Sequence, residues 1–227
     1  MSAAEVGVNR TQFGQVYMWS LVIAGAAIVL ASLYELPFSE LDARFVFLCL
    51  MVMASSLIAI RIPRVSGRIT VADTFVFLTL LLYGGAAAIV VSALEGVAAT
   101  LIISKRPRTI LFNSAILATS TFFTVAFLTW RFGPPVSIIK QGFTAQFFAA
   151  ICVMALVQYI ANTTLIAIEK ANKIKESTWT TWRTYYLWTS VTYFAGASAA
   201  GLIAILIDKY GFYAVVTTVP IILIICF

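Results

Sequence analysis

The 227-residue chain contains no histidine, and its three cysteines, Cys49, Cys152 and Cys226, sit apart in apolar stretches without CxxC or other ligand spacing. A histidine-based triad, a haem and a zinc site are therefore excluded, no metal or cofactor is expected, and the cysteines read as small packed hydrophobes. Charge is scarce too: 11% of residues are Asp, Glu, Lys or Arg, against 62% hydrophobic, with a mean hydropathy of +1.00. That composition leaves no room for a soluble domain of useful size. The N-terminal MSAAEVGVNRTQFG is polar for too long to lead a signal peptide, and nothing after the first apolar run resembles a cleavage site. The first run is expected to stay as a signal anchor.

What the chain has in quantity is apolar sequence in lengths suited to a hydrocarbon core of about 30 Å, which takes about 20 helical residues to cross. Charge-free windows place eight spans, at residues 15–34, 45–60, 70–83, 85–104, 109–130, 143–168, 184–207 and 210–227. The expected fold is all-α, a polytopic transmembrane helix bundle forming one integral-membrane domain over residues 1–227. The weakest division is Tyr83-Gly84-Gly85, where an apolar run too long for one crossing needs a turn. A six- or seven-span division fits the same runs.

Basic residues orient the bundle, because Lys and Arg next to transmembrane helices favour the cytoplasmic side. Arg10, Arg61, Arg64, Arg68, Lys105, Arg106, Arg108, Lys170, Lys173, Lys175 and Arg183 all fall on one side. The other holds only Arg44, Arg131, Lys140 and Lys209, together with Glu35, Glu40, Asp42 and Asp208. Both termini are thus expected in the cytoplasm, with the protein in a bacterial inner membrane. The net charge of +6 follows from loop topology and attraction to anionic lipid, and gives no reason to invoke nucleic acid. The last residues, IILIICF, lie in an apolar run, which suggests a membrane module of a longer chain that continues in the cytoplasm.

Polar residues inside the spans are the only signals that point to chemistry. In VSALEGVAAT, residues 91–100, Glu95 has no charged neighbour. It lies ten residues before Lys105, hence roughly 15 Å from the cytoplasmic boundary at the helical rise. A carboxylate at that depth must be neutral, paired or solvated by a cavity. Gln158 reaches a similar depth, with Asn162 one turn below it, and Asp73 and Asn113 sit near the cytoplasmic ends of the third and fifth spans. Glu95, Gln158 and Asn162 are expected to converge on a cavity, with Asp73 and Asn113 beneath them. Each also has a structural reading: amides bridge membrane helices, and Asp73 can cap a helix or pair with Arg68.

Small residues give a packing pattern. Gly25, Ala27 and Ala31 in the first span, Gly96 in the fourth, and Gly196 and Gly201 in the seventh are expected to let helix backbones approach closely. Trp179, Trp182, Tyr185, Tyr186 and Trp188 read as an interfacial aromatic belt where the seventh span begins. The preceding EKANKIKESTWTTWR reads as a solvated, lipid-facing connection with room for a short helix on the membrane surface.

One segment, TVADTFVFLTLLLYGGAAAIVVSALEGVAATLIISKRPRTILFN, covers about residues 70–114. Its D-T-F-x-F start, glycine turn, A-x-E-G and basic turn ending in L-F-N resemble the N-terminal integral-membrane sensor regions of bacterial signalling proteins, which precede GGDEF diguanylate cyclase or HD-type phosphohydrolase domains. The resemblance implies that Asp73, Glu95, Gly96 and Asn113 belong to one constellation. It further implies a sensor that detects a small ligand, lipid or proton and signals to a cytoplasmic effector in cis or in trans, as a homodimer when that effector is a cyclase. No GGDEF, HD or kinase motif lies in the sequence. The alternative is a small-solute transporter or substrate-capture subunit similar to vitamin-uptake membrane components. Against it, transporter sites usually break helices at mid-membrane, whereas the prolines here lie mainly in loops, Pro220 excepted. An enzyme is not expected, because single carboxylates at different depths do not make an acid/base pair.

Overall fold

The computed structural model describes residues 3–57, 60–61, 68–69 and 72–212. In chain order these form α1 (Ala3–Glu35), a 3-10 turn (Phe38–Glu40), α2 (Ala43–Leu57), a two-residue antiparallel pairing of β1 (Ile60–Arg61) with β2 (Arg68–Ile69), and α3 (Ala72–Tyr83). There follow α4 (Gly85–Ile103), α5 (Pro107–Phe132), α6 (Pro135–Ile139), α7 (Ala145–Ile174), α8 (Thr178–Tyr185), a 3-10 turn (Leu187–Thr189) and α9 (Ser190–Tyr210).

Five of these helical stretches are long and apolar enough to cross a membrane: Gln12–Glu35, Gly85–Ile103, Pro107–Phe132, Ala145–Ile174 and Leu187–Tyr210. They correspond to the expected first, fourth, fifth, sixth and seventh spans. The second and third correspond to the shorter apolar helices Ala43–Ser56 and Ala72–Tyr83. Of the expected eighth, 210–227, residues 213–227 lie outside the described residues, and so does Cys226. Large apolar side chains stand exposed along the bundle, among them Val16, Ile23 and Leu30 on α1, Phe123 and Trp130 on α5, Ile160 on α7 and Leu202 on α9. Lipid suits such a surface, and the described residues form a helical bundle with five candidate membrane-spanning helices.

Local chemistry sets the helix limits. The break between α3 and α4 falls on Gly84, whose φ of +85° is open to glycine and strained for other residues. Pro107 opens α5, where a missing N–H costs nothing. The Thr144 hydroxyl accepts from Phe147 N–H at 3.2 Å and caps α7.

Successive long helices run antiparallel. The core is built from Phe75, Phe77, Leu78 and Leu81 of α3, Leu48 and Val52 of α2, Met154 of α7, and Ile203 and Ile205 of α9. Helix α5 packs against both α1 and α4, which also touch each other. A Cβ on Gly25 would stand 2.6 Å from Cα of Ala115, and one on Gly96 would stand 2.6 Å from Cα of Ser114. Gly196 and Gly201 are tight against Thr74 of α3 and Ile151 of α7. Ala27 and Ala31 correct the expected pattern: both are exposed, because the inward face of α1 carries Leu21, Gly25, Ile28 and Ser32 instead.

Candidate ligand cavity at the basic end of the bundle

The α4–α5 and α7–α8 connections and the helix ends beside them, which carry Lys105, Arg106, Arg108, Lys173 and Lys175, lie at one end of the bundle. Near that end a cavity of about 360 Å³ opens among α2, α3, α4, α5, α7, α9 and the segment from α8 into the second 3-10 turn. Its polar wall consists of Asp73, Glu95, Asn113, Asn162 and Tyr193, with hydroxyls such as Ser56 and Thr192; Ile103, Ile116, Leu117 and Ile166 give an apolar wall.

Each polar group is placed by its helix. Asp73 lies in the first turn of α3, where the helix N-terminus favours negative charge. Glu95 is buried on α4 beside Gly96. Asn113 Nδ2 donates to Thr100 Oγ1 at 2.8 Å, and Thr100 in turn donates to the Gly96 carbonyl at 2.6 Å, so the glycine contact and this bond fasten α5 to α4 at the cavity wall. Across the cavity, Asn162 Nδ2 donates to Tyr193 Oη. Among the described residues Asn162 Oδ1 has no hydrogen-bond partner, although Asn162 is only 6% exposed. The Tyr193 hydroxyl lies within electrostatic range of both Asp73 and Glu95.

The α8 segment closes one side of the cavity. Trp182 Nε1 donates to Thr163 Oγ1 at 2.9 Å, Tyr159 Oη donates to the Leu187 carbonyl at 3.3 Å, and the Tyr159 ring packs against those of Trp182 and Tyr193 at 5.8 Å each. This brings Tyr185, Tyr186 and Thr189 onto the cavity. The Lys170 ammonium sits 3.2 Å from the centroid of the Tyr185 ring. Burial, and next the charge of Glu169, pushes the Tyr186 hydroxyl up to about 12, so it is a neutral phenol at physiological pH.

The structure thus brings Asp73, Glu95, Gly96, Asn113 and Asn162 to one cavity. Gln158 is not among them. Its Oε1 accepts from Thr124 Oγ1 at 2.7 Å, and its Nε2 donates to Ser120 Oγ and Thr121 Oγ1 at 3.2 and 3.3 Å. The expectation that Gln158 and Asn162 converge on one cavity left out the rotation of about 40° that four residues add beyond a full turn. Gln158 consequently faces α5, and Asn162 faces α9. Tyr185 and Tyr186 stand where a lipid-facing belt was expected, while Trp179 and Trp188 do remain exposed. Tyr193 gave no signal of its own, being one aromatic among many in an apolar run.

A second cavity of similar volume lies at the opposite end, lined by Pro37, Leu41, Asp42, Arg44, Tyr83 and Phe212 among others. Its polar groups are engaged with one another: Tyr83 Oη donates to Asp42 Oδ1 at 2.7 Å, Arg44 pairs with Asp42 at 3.4 Å, and the Arg44 guanidinium lies over the Phe212 ring. Among the described residues no three His, Cys, Asp or Glu side chains group closely enough to hold a metal ion.

No protein-family model, curated protein or solved structure matches the chain. The likeness of residues 70–114 to sensor regions rests on its short motifs alone.

Proposed function

We propose that the chain is a membrane-embedded sensory module of the bacterial inner membrane. A small molecule in the cavity favours one packing of the helices, and that bias passes to a cytoplasmic effector, in the same chain or another, of the cyclic-dinucleotide signalling kind. The observation that carries this reading is the cavity's construction: its lining comes from six helices and the α8 segment. An occupant touches nearly every element of the bundle at once, and one that binds two packings unequally must shift the balance between them. The cavity lies at the end where basic residues concentrate, which the positive-inside tendency assigns to the cytoplasm. The motifs around Asp73, Glu95, Gly96 and Asn113 support the same reading.

The test is output. In a chimera with a diguanylate cyclase domain after residue 227, Asn162→Leu and Glu95→Gln should change cyclic di-GMP production in cells, and the lipid-facing control Val191→Ala should not. Unchanged output from both cavity variants, with the chimera active and membrane-inserted, sinks the sensor reading. The presence of a solute-sized cavity within one chain also suits the second reading, a solute-capture or transport subunit. Cavity-dependent solute uptake into proteoliposomes would favour it.

A further inference from the structure

We infer that the cavity ligand is an uncharged molecule that joins a hydrogen-bond donor, an O–H or N–H, to an apolar body, with the donor on Asn162 Oδ1 and the body against Ile116, Leu117 and Ile166. This inference rests on the reading of the cavity as a ligand site.

The acceptor comes first. Asn162 is 6% exposed and lines the cavity, its Nδ2 donates to Tyr193 Oη, and among the described residues nothing donates to its Oδ1. The Tyr193 hydroxyl stands within electrostatic range of the Asp73 carboxyl, which draws the phenol proton and leaves the phenol oxygen to accept from Nδ2. That arrangement keeps Asn162 Oδ1 on the side away from Tyr193 and short of a donor. Buried acceptors are rarely left unmet.

The aliphatic hydroxyls of the wall do not supply it. Ser56, Thr100, Thr163, Thr189 and Thr192 line the cavity, and each donates at 2.6 to 2.7 Å to a carbonyl of its own segment, those of Val52, Gly96, Tyr159, Tyr186 and Thr189. The Thr100 and Thr163 oxygens also accept, from Asn113 and Trp182. Turning any of the five toward Asn162 gives up a bond already made, with no net gain. The donor is left for an occupant to bring.

The apolar wall sets the rest of the molecule. Ile166 follows Asn162 by four residues on α7, so the wall starts one turn from the acceptor, and it continues on α5 through Ile116 and Leu117. A water molecule would meet the oxygen but leave this wall wet, whereas a donor carried on hydrocarbon meets the oxygen and dries the wall. One amide oxygen asks for one donor, and an uncharged donor reaches it without the far larger desolvation cost of an ion. A volume of about 360 Å³ lies at the small end of ligand pockets, which suits a compact body such as a substituted ring.

Probe and control differ by a methyl group on the oxygen: 4-fluorophenol and its ether 4-fluoroanisole, followed by fluorine NMR on the full chain in nanodiscs. The lipid is phosphatidylcholine, whose headgroup brings no donor of its own, and protein-free nanodiscs give the baseline. Wild-type protein should bind the phenol about tenfold more tightly than the ether. Asn162→Leu should remove that preference, while Gln158→Leu, outside the cavity, should keep it. If Asn162→Leu fails to fold, the comparison of the two probes on wild-type protein decides. Equal binding of both probes, or tighter binding of the ether, overturns the donor class but leaves a ligand cavity. Binding of neither overturns it as well, and a preference that survives in folded Asn162→Leu overturns the placement of the donor on Oδ1. Repetition with diacylglycerol, an uncharged lipid with a free hydroxyl, added to the nanodiscs identifies the source: competition there points to such a lipid, and undiminished binding points to a free solute, both within the inferred class. Effector output from the chimera is a separate readout, so a failed donor test does not stand in for a failed sensor.

Discussion

Gly96 of α4 faces Ser114 of α5 so closely that a Cβ on the glycine would meet the Ser114 Cα at 2.6 Å and its backbone nitrogen at 2.8 Å. The neighbour is backbone, not the end of a flexible side chain, so the helices themselves must separate to admit a methyl group. Gly96→Ala is therefore expected to destabilise the bundle by about 1 to 3 kcal/mol, in the range for overpacking. It should also loosen the cavity wall, because Asn113 reaches Thr100 across this same contact. Ala27→Val on the exposed face of α1 should stay within about 0.5 kcal/mol. Unfolding in mixed micelles measures both; equal losses would place the tight contact elsewhere.

The contrast between Gly96 and Ala27 shows where the sequence is legible. The turn at Gly84, the helical class and the polar residues Asp73, Glu95, Asn113 and Asn162 that line the cavity are all readable, though Asp73 and Asn113 were expected at a different depth from Glu95, because polar groups and glycines stand out against apolar runs. Rotation about each helix axis is not. Helices apolar on every side carry little periodic signal to say which face is inside. This is why Gln158 was expected with Asn162, why Ala27 and Ala31 were expected in a contact, and why Tyr193 went unnoticed. The placement of α8 and the turn after it, which brings Tyr185 and Tyr186 to the cavity, is tertiary in origin, held by Tyr159 and Trp182.

Gln158 is a structural tie between α7 and α5, and its removal has a calculable cost. Gln158→Leu deletes three side-chain hydrogen bonds in a buried setting. Thr124 keeps its bond to the Ser120 carbonyl at 3.0 Å, and such bonds average about 0.6 kcal/mol each in membrane bundles, so a loss of about 1 to 2 kcal/mol is expected. Ligand binding should be unaffected. A variant that folds normally and yet loses binding would return Gln158 to the site.

At the opposite end, Asp42 gives an acid-dependent latch. The Tyr83 hydroxyl first of all, opposed next by burial and then aided by the Phe45 and Arg44 N–H groups and the Arg44 charge, holds the Asp42 carboxyl below its ordinary value of 3.8. A carboxyl whose folded value is lowered adds stability that is present above the unfolded value and lost as pH falls through the folded one. Wild-type protein should thus melt higher than Tyr83→Phe by a constant margin above about pH 5, and the margin should narrow below about pH 4. A margin independent of pH would mean that Tyr83 contributes by packing on Phe45 and not through Asp42.

The two ends of the bundle carry different sets of charged residues, which makes the proposed orientation testable. The helix ends and connections beside the cavity carry Lys105, Arg106, Arg108, Lys170, Lys173, Lys175 and Arg183 with Glu169 and Glu176, whereas those beside the second cavity carry Arg44, Arg131, Lys140 and Lys209 with Asp42 and Asp208. The excess of basic residues at the first end favours its retention in the cytoplasm during insertion. With Cys49, Cys152 and Cys226 replaced by serine or alanine, a membrane-impermeant maleimide added to intact spheroplasts should label Lys140→Cys and Lys209→Cys but not Lys105→Cys or Lys173→Cys. Disruption of the membrane should then expose the latter pair. Labelling of Lys105→Cys from outside would invert the protein and place the cavity on the far side of the membrane. A cytoplasmic effector would then have to be reached across the whole bundle, and capture of an external solute would become the stronger reading of the same residues.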